Sequence, residues 1–215
     1  MSTLESLKQN VIDGNSRDVT TLVKQALTEG IPAEQILNAG LIAGMSQVGK
    51  LFECGEFYVP EMLVAARAMK SGLDVLRPAL VAANVQAIGK IIIGTVKGDL
   101  HDIGKNLVAM MMEGAGFQVI DLGVDVPPDK FVAAVREHQP QLLGLSALLT
   151  TTMPAMRATL DALQAAGVRD QVKVLVGGAP VTGKFAREIG ADAYAPDAST
   201  AATRAKAVLG YQGGA

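Results

Sequence analysis

At 215 residues and a formal charge of -2, the chain lacks the basic excess that a nucleic-acid or anionic-membrane surface usually shows. Apolar residues make up 49%, enough for a core in each of two small domains. The single cysteine, Cys54, excludes an intramolecular disulfide and a four-cysteine metal site, and reads as a small loop-flanking residue.

The opening MSTLESLKQN carries neither the positive start nor the apolar stretch of a secretory signal. No apolar segment approaches the roughly 20 residues a membrane helix needs. The expectation is a soluble cytoplasmic protein with no nucleic-acid or membrane partner.

From residue 1 to about residue 80 the periodicity is helical. Leu4, Leu7, Val11 and Ile12 recur at helical spacing, as do Val19, Leu22, Val23, Ala26 and Leu27. Gly30-Ile31-Pro32 separates the second helix from a third, which starts near Pro32 and carries Ile36, Leu37, Leu41, Met45 and Val48. A turn at Gly55 to Tyr58 leads to Pro60, at a first helical position. The fourth helix follows, with Met62, Leu63, Ala66, Met69 and Leu73 as its expected inner stripe. Four short-connected amphipathic helices predict an antiparallel bundle, the cap domain of residues 1–80. Arg77-Pro78 is expected to break the helical pattern, with a linker at 81–88 and a hinge within 77–89.

Beyond Gly89 the pattern changes. Short apolar runs at Lys90 to Thr95, Gln118 to Asp121, Leu142 to Ser146, Val172 to Val176 and Ala191 to Tyr194 read as strands. Helical segments near 103–115, 128–138, 153–166, 181–189 and 197–209 alternate with them. Residues 89–215 are therefore predicted to form a doubly wound, flavodoxin-like (Rossmann-like) domain with a five-stranded parallel sheet. A short Gly-rich end, Gly213 and Gly214, closes the chain.

In such a sheet of order 2-1-3-4-5, ligands bind beyond the strands' carboxyl ends, between the first and third strands. The first strand runs into Gly98 to Gly104, which contains Asp99 and His101, and the third into Ser146 to Thr152. Gly177-Gly178-Ala179-Pro180 follows the fourth strand, where missing side chains would admit a large flat ligand. A loop histidine is commonly just solvated. Asp99 changes that weighing, because a metal-binding imidazole often donates its other ring N–H to a carboxylate. One histidine cannot complete a protein-only zinc site. A metal already held by four equatorial donors, as in a macrocycle, needs only one axial nitrogen.

Competing readings of the loop are weaker. Gly94 to Asp99 lacks the G-x-x-x-x-G-K-[ST] pattern of a phosphate loop, and no G-x-G-x-x-G follows the first strand. A hydrolase built from Ser146, His101 and Asp99 would lack the G-x-S-x-G elbow. Thr150 to Thr152 could simply cap the helix beginning near Pro154. Phe52 could be plain helical core, Met110 to Met112 helix filler, His138 a solvated residue, and Asp102 and Lys105 surface residues at a helix start.

Asp99-x-His101-x-x-Gly104, then Ser146-x-Leu148, then Gly177-Gly178 resembles the D-x-H-x-x-G, S-x-L, G-G signature of base-off corrinoid-binding domains, with gaps from Lys105 to Leu145 and from Leu149 to Val176. Val48 to Phe52, Val59-Pro60-Glu61 and Ala66 to Lys70 resemble the helical cap domain of methionine synthase. A chain of cap plus corrinoid domain is similar to the stand-alone corrinoid proteins of methyltransferase systems.

The resemblance implies a cobalamin or other corrinoid bound base-off, with His101 as the lower cobalt ligand and Asp99 hydrogen-bonded to it. It places Thr152, usually a serine, as the third member of a proton relay. Ser146, Leu148 and Thr150 would line the slot for the displaced nucleotide tail, and Gly177 and Gly178 would flank it, with Tyr194, Ala195 and Asp197 near its base. Asp102 and Gly104 join the cofactor-binding set. Phe52 and Val59, often a leucine in the family, would shield the upper face of the cobalt. The relay would couple proton uptake to release of the axial ligand.

The resemblance further implies a non-catalytic methyl carrier. One substrate-specific methyltransferase (methylamine, methanol or aryl methyl ether class) would load it, and a second would pass the methyl to tetrahydrofolate or coenzyme M. A reductive activation protein would also be needed. Three alternatives stay open: a cobalamin-dependent sensory or regulatory protein, though no helix-turn-helix precedes the cap; the cobalamin subunit of a radical isomerase; and a cobalt-free flavodoxin-like signalling or nucleotide-binding module.

Overall fold

A computed structural model describes residues 1–211; the Gly213–Gly214 end lies outside the described residues. The chain divides into two compact units, residues 1–87 with 114–116, and residues 88–113 with 117–215. Among the described residues no helix is long and apolar enough to cross a membrane.

The first unit is helical. Helices α1 (Thr3–Ile12) and α2 (Ser16–Thr28) are followed by a short α3 (Ala33–Gln35), a π-helical stretch (Ile36–Ile42), α4 (Ala43–Glu53) and the long α5 (Val59–Ala82). Ser2 and Glu5 close a capping box on α1, each satisfying an amide that the first turn leaves free. α1 packs on α2 and α4, and α2 on α5. Small residues let these helices approach closely: a Cβ on Gly40 would lie 2.5 Å from Leu7 Cδ2, and one on Gly44 2.8 Å from Val11 Cβ.

Two expectations for this unit need correction. The inner stripe of α5 is Met62, Ala65, Ala68, Met69, Gly72 and Leu76, whereas Leu63, Ala66 and Leu73 are only half-buried. The face is phased by small residues in the helix crossings rather than by the large apolar ones. Nor does Arg77-Pro78 end the helix, since α5 continues to Ala82 with Pro78 inside it. The missing N–H leaves the carbonyl of Asp74 unmatched, but Asp74 and Pro78 both lie on the exposed face, where an unmatched carbonyl costs least.

The second unit alternates strand and helix: β1 (Lys90–Thr95), α6 (Ile103–Gly114), β2 (Gln118–Asp121), α7 (Pro128–His138), β3 (Leu142–Ser146), α8 (Pro154–Ala165), β4 (Lys173–Gly177), α9 (Gly183–Ile189), β5 (Ala193–Ala195) and α10 (Ala198–Val208). All pairings are parallel and the order is β2-β1-β3-β4-β5, as the flavodoxin-like reading expected. Ile91, Ile92 and Ile93 are buried in succession, the mark of a strand covered on both faces. A core of Phe131, Leu143, Leu145, Met156, Leu163, Val174 and Val176 fills one side of the sheet.

Candidate functional site

The ladder register aligns the strands' carboxyl ends. Thr95 pairs with Ser146, Ser146 with Gly177, and Gly177 with Ala195, forming one row along that edge of the sheet. Loops leaving this row carry the residues that the sequence singled out. The order reverses between β1 and β3, so the loops after those two strands leave in opposite directions and open a crevice.

At this reversal Asp99 is fully buried and collects donors from both loops. Its Oδ1 accepts from the amide of His101 at 3.0 Å and lies 2.7 Å from His101 Nδ1. Its Oδ2 accepts from the Leu148 amide at 2.7 Å, the Leu149 amide at 3.3 Å and the Thr152 hydroxyl at 2.7 Å. Burial opposes the charge on Asp99. The hydrogen bonds from Thr152, from the His101 and Leu148 amides and from the His101 ring outweigh it, and hold the carboxyl well below the usual carboxylate range.

An ionised Asp99 can only accept, so the His101 proton must sit on Nδ1. In the neutral ring Nε2 then keeps its lone pair. Among the described residues Nε2 has no hydrogen-bond partner, and the side chain is 49% exposed. Asp99, His101 and Thr152, all singled out from the sequence, form one hydrogen-bonded chain at this reversal.

The surroundings are apolar and open. Leu100 and Ile103, 71% and 77% exposed, flank His101, and Leu148 and Leu149 are exposed on the β3 loop. A Cβ on Gly104 would meet nothing within 4 Å. Leu100, Ile103 and Leu149 were not singled out from sequence, where an apolar residue reads as core unless its loop position is weighed. Asp102 is exposed at the start of α6 and accepts from the Asn106 side chain at 3.1 Å. Lys105 is not a surface residue as expected: it is 2% exposed, with its ammonium on Asp121 and Asn106.

On the other side of Ser146 the edge is shaped by glycine. Gly178 has φ +125°, and a Cβ there would lie 1.9 Å from the carbonyl oxygen of Ala147; on Gly177 it would lie 3.0 Å from that of Ala195. Any side chain at Gly178 would collide with the β3 loop. Ala195 is buried, and Tyr194 packs against the core. Asp197 caps α10, accepting from the Thr200 amide and hydroxyl, both at 2.8 Å. Thr150 is exposed on the loop, away from the Asp99 chain.

Phe52 and Val59 belong to the helical unit. Phe52 is half-buried in the last turn of α4, and Val59 is exposed at the first residue of α5. Glu61 accepts from the Tyr58 amide at 2.9 Å and fixes the start of α5.

A metal fits His101 only as an incoming complex. Among the described residues no group of three or more His, Cys, Asp or Glu could hold an ion. One free imidazole nitrogen, an apolar surround and a glycine-lined edge suit a macrocycle that supplies its own equatorial donors.

Comparison with known proteins agrees with this chemistry. Residues 89–204 match a family model described as a B12 binding domain, and residues 3–77 match a second model of the same description. The chain is 43% identical over 213 residues to dimethylamine corrinoid protein 3 of Methanosarcina acetivorans, covering 97% of this chain and all of the relative. A cobalamin-binding protein from Desulfitobacterium hafniense superposes with a TM-score of 0.81 at 35% identity, over 96% of this chain and 98% of that one. The methanol:cobalamin methyltransferase complex MtaBC of Methanosarcina barkeri gives 0.87 at 28% identity, over 96% and 79%.

Proposed function

The chain belongs to the B12-binding domain family, and on that premise we propose that it is a corrinoid-dependent methyl carrier. A partner methyltransferase acting on a methylated amine, methanol or aryl methyl ether loads it. A second passes the methyl group to tetrahydrofolate or coenzyme M, and a reductive activation protein restores the cofactor after oxidation. The full-length similarity to a dimethylamine corrinoid protein and the likeness to a methanol:cobalamin methyltransferase complex support this reading. In this reading the chain carries the methyl group, and the partner methyltransferases supply the catalysis, as the likeness to corrinoid proteins and to a methyltransferase complex supports.

When bound, the corrinoid supplies a cobalt that accepts and releases the methyl group. The chain's own residues do the rest. His101 would hold the cobalt through Nε2, the ring nitrogen that Asp99 leaves uncommitted. Asp99 keeps the proton on Nδ1, which fixes the tautomer and the ring's orientation. Thr152 donates to the same carboxylate and steadies its charge.

Leu148, Gly104, Asp102 and the exposed Leu100 and Ile103 would receive the corrin, and Ser146, Thr150, Gly177, Gly178, Tyr194, Ala195 and Asp197 would hold its nucleotide tail.

The observation that carries this reading is the Nε2 of His101, unpaired at the sheet's carboxyl edge while Nδ1 is committed to a buried carboxylate. Absorption spectra of the reconstituted wild type and a His101→Ala variant test it. The variant should retain much of the corrinoid and lose the axial-nitrogen signature; an unchanged signature would refute the assignment.

A further inference from the structure

The segment from Val96 to His101 carries the proposed ligand but has no regular structure of its own, so something must hold its shape. One end is fixed by the Val96 amide donating to the Ser146 carbonyl at 3.0 Å, the other by the buried Thr95 hydroxyl donating to the His101 carbonyl at 2.9 Å. Between these points the chain reverses. The Asp99 amide donates to the Val96 carbonyl at 3.1 Å, and Gly98 takes φ +83°, as a turn of this kind demands of its third residue. That turn leaves the Gly98 amide without an internal partner.

The partner comes from another loop. Asp125, between β2 and α7, accepts the Gly98 amide on Oδ1 at 2.7 Å and donates its own amide to the Asp99 carbonyl at 3.0 Å. A single residue thus grips both sides of the Gly98–Asp99 peptide linkage. Asp125 does so at φ +51°, a left-handed conformation that an L side chain adopts only at a cost. Its loop is itself braced: Gly123 donates to Asp121 Oδ1 at 2.9 Å, Asp121 holds the buried Lys105, and the Val126 amide donates to the Thr95 carbonyl at 3.0 Å. Because Asp99 sets the direction of the imidazole, any play in the Gly98–Asp99 linkage passes directly to His101.

The geometry points to Asp125 as a positioning residue for the metal-ligand loop: it holds the turn at Gly98 and Asp99 and so pre-orients His101 toward the cofactor. This rests on the reading of His101 as the axial ligand. It acts through hydrogen-bond acceptance at Oδ1 and the left-handed backbone, and needs no contact with the corrinoid.

Two variants of the full chain separate these elements. Asp125→Gly keeps the left-handed backbone without strain and removes the acceptor, whereas Asp125→Asn keeps a carbonyl oxygen in its place. In cofactor-free protein, hydrogen exchange of a peptide spanning Lys97 to His101 should quicken roughly threefold to tenfold in Asp125→Gly and little in Asp125→Asn. After reconstitution with hydroxocobalamin, Asp125→Gly should show a mixture of ligated and unligated spectra, and Asp125→Asn should match the wild type.

Wild-type exchange and a wild-type spectrum in Asp125→Gly would overturn the assignment, as would equal losses in both variants. A His101→Ala control keeps the two readings apart. If His101→Ala and the wild type give the same spectrum, axial ligation by His101 fails and this role fails with it. If they differ while Asp125→Gly behaves as wild type, only the role of Asp125 fails.

Discussion

At the scale of single residues, Asp99 carries the most consequence. It is fully buried and ionised, and among the described residues its charge is matched by donors from His101, Leu148, Leu149 and Thr152. Its folded-state pKa lies below the unfolded value, so the stabilisation is present above the ordinary carboxylate range and is lost as pH falls through the folded value. Asp99→Asn replaces an acceptor with an amide whose N–H faces donors, and should cost about 1–3 kcal/mol at neutral pH by urea denaturation. The gap between wild type and variant should hold down to about pH 4 and narrow below it. A gap independent of pH would contradict the account. Gly178→Ala places a methyl on the Ala147 carbonyl and should destabilise the protein by about 2–4 kcal/mol in thermal melts; a neutral effect would mean that the two loops can part freely.

The same scale separates what the chain discloses from what it conceals. Asp99, His101, Thr152 and Gly178 were legible because their chemistry is tied to short spacings and to the ends of recognisable strands. Thr95, Lys105 and Asp125 were not. Their partners lie across the fold, as with Asp125 and Gly98, 27 residues apart, and no local periodicity marks such a pairing. A buried lysine at a helix start looks, in sequence, like any solvated one.

At the scale of elements, the α/β half was legible almost to the residue, because strands buried on both faces leave unbroken β-branched runs between amphipathic helices. The helical half was legible in its number of segments but less so in their phase. Ala65, Ala68 and Gly72 set the buried face of α5 by allowing close approach, and a search weighted toward large apolar side chains passes over them. Pro78 misled for a related reason: the carbonyl left unmatched by proline's missing N–H is costly where it is buried, and here Asp74 and Pro78 lie on the exposed face. Close packing can be tested at Gly44, where α4 meets α1. Gly44→Leu should overpack the crossing against Val11 and cost about 1–3 kcal/mol by denaturant titration. A variant as stable as wild type would show that the helices separate without penalty.

At the scale of the molecule, a helical unit and a B12-binding unit are joined by the residues after Ala82. The amides of Ala83, Asn84 and Val85 donate back to the carbonyls of Ala79, Val81 and Leu80, with Asn84 at φ +54°, and the Tyr211 hydroxyl donates to the Ile88 carbonyl at 2.7 Å. On the proposed function two methyltransferases would each need to reach the cobalt, so cleavage of the residues after Ala82 by a protease should differ between the methylated and unmethylated states. Equal cleavage would count against such movement. Methyl-transfer assays over methylamines, methanol and aryl methyl ethers, each with its partner enzyme, should find one class preferred.

The central claim is that His101, and not the cofactor's own base, holds the cobalt from below. The most direct measurement is electron paramagnetic resonance of the Co(II) protein, reconstituted in full-length chain whose histidines carry the heavy nitrogen isotope. Axial binding by His101 predicts that the threefold nitrogen splitting seen with unlabelled protein becomes twofold on labelling. A threefold pattern that survives labelling would show the cofactor's own base still on the metal and would contradict the account.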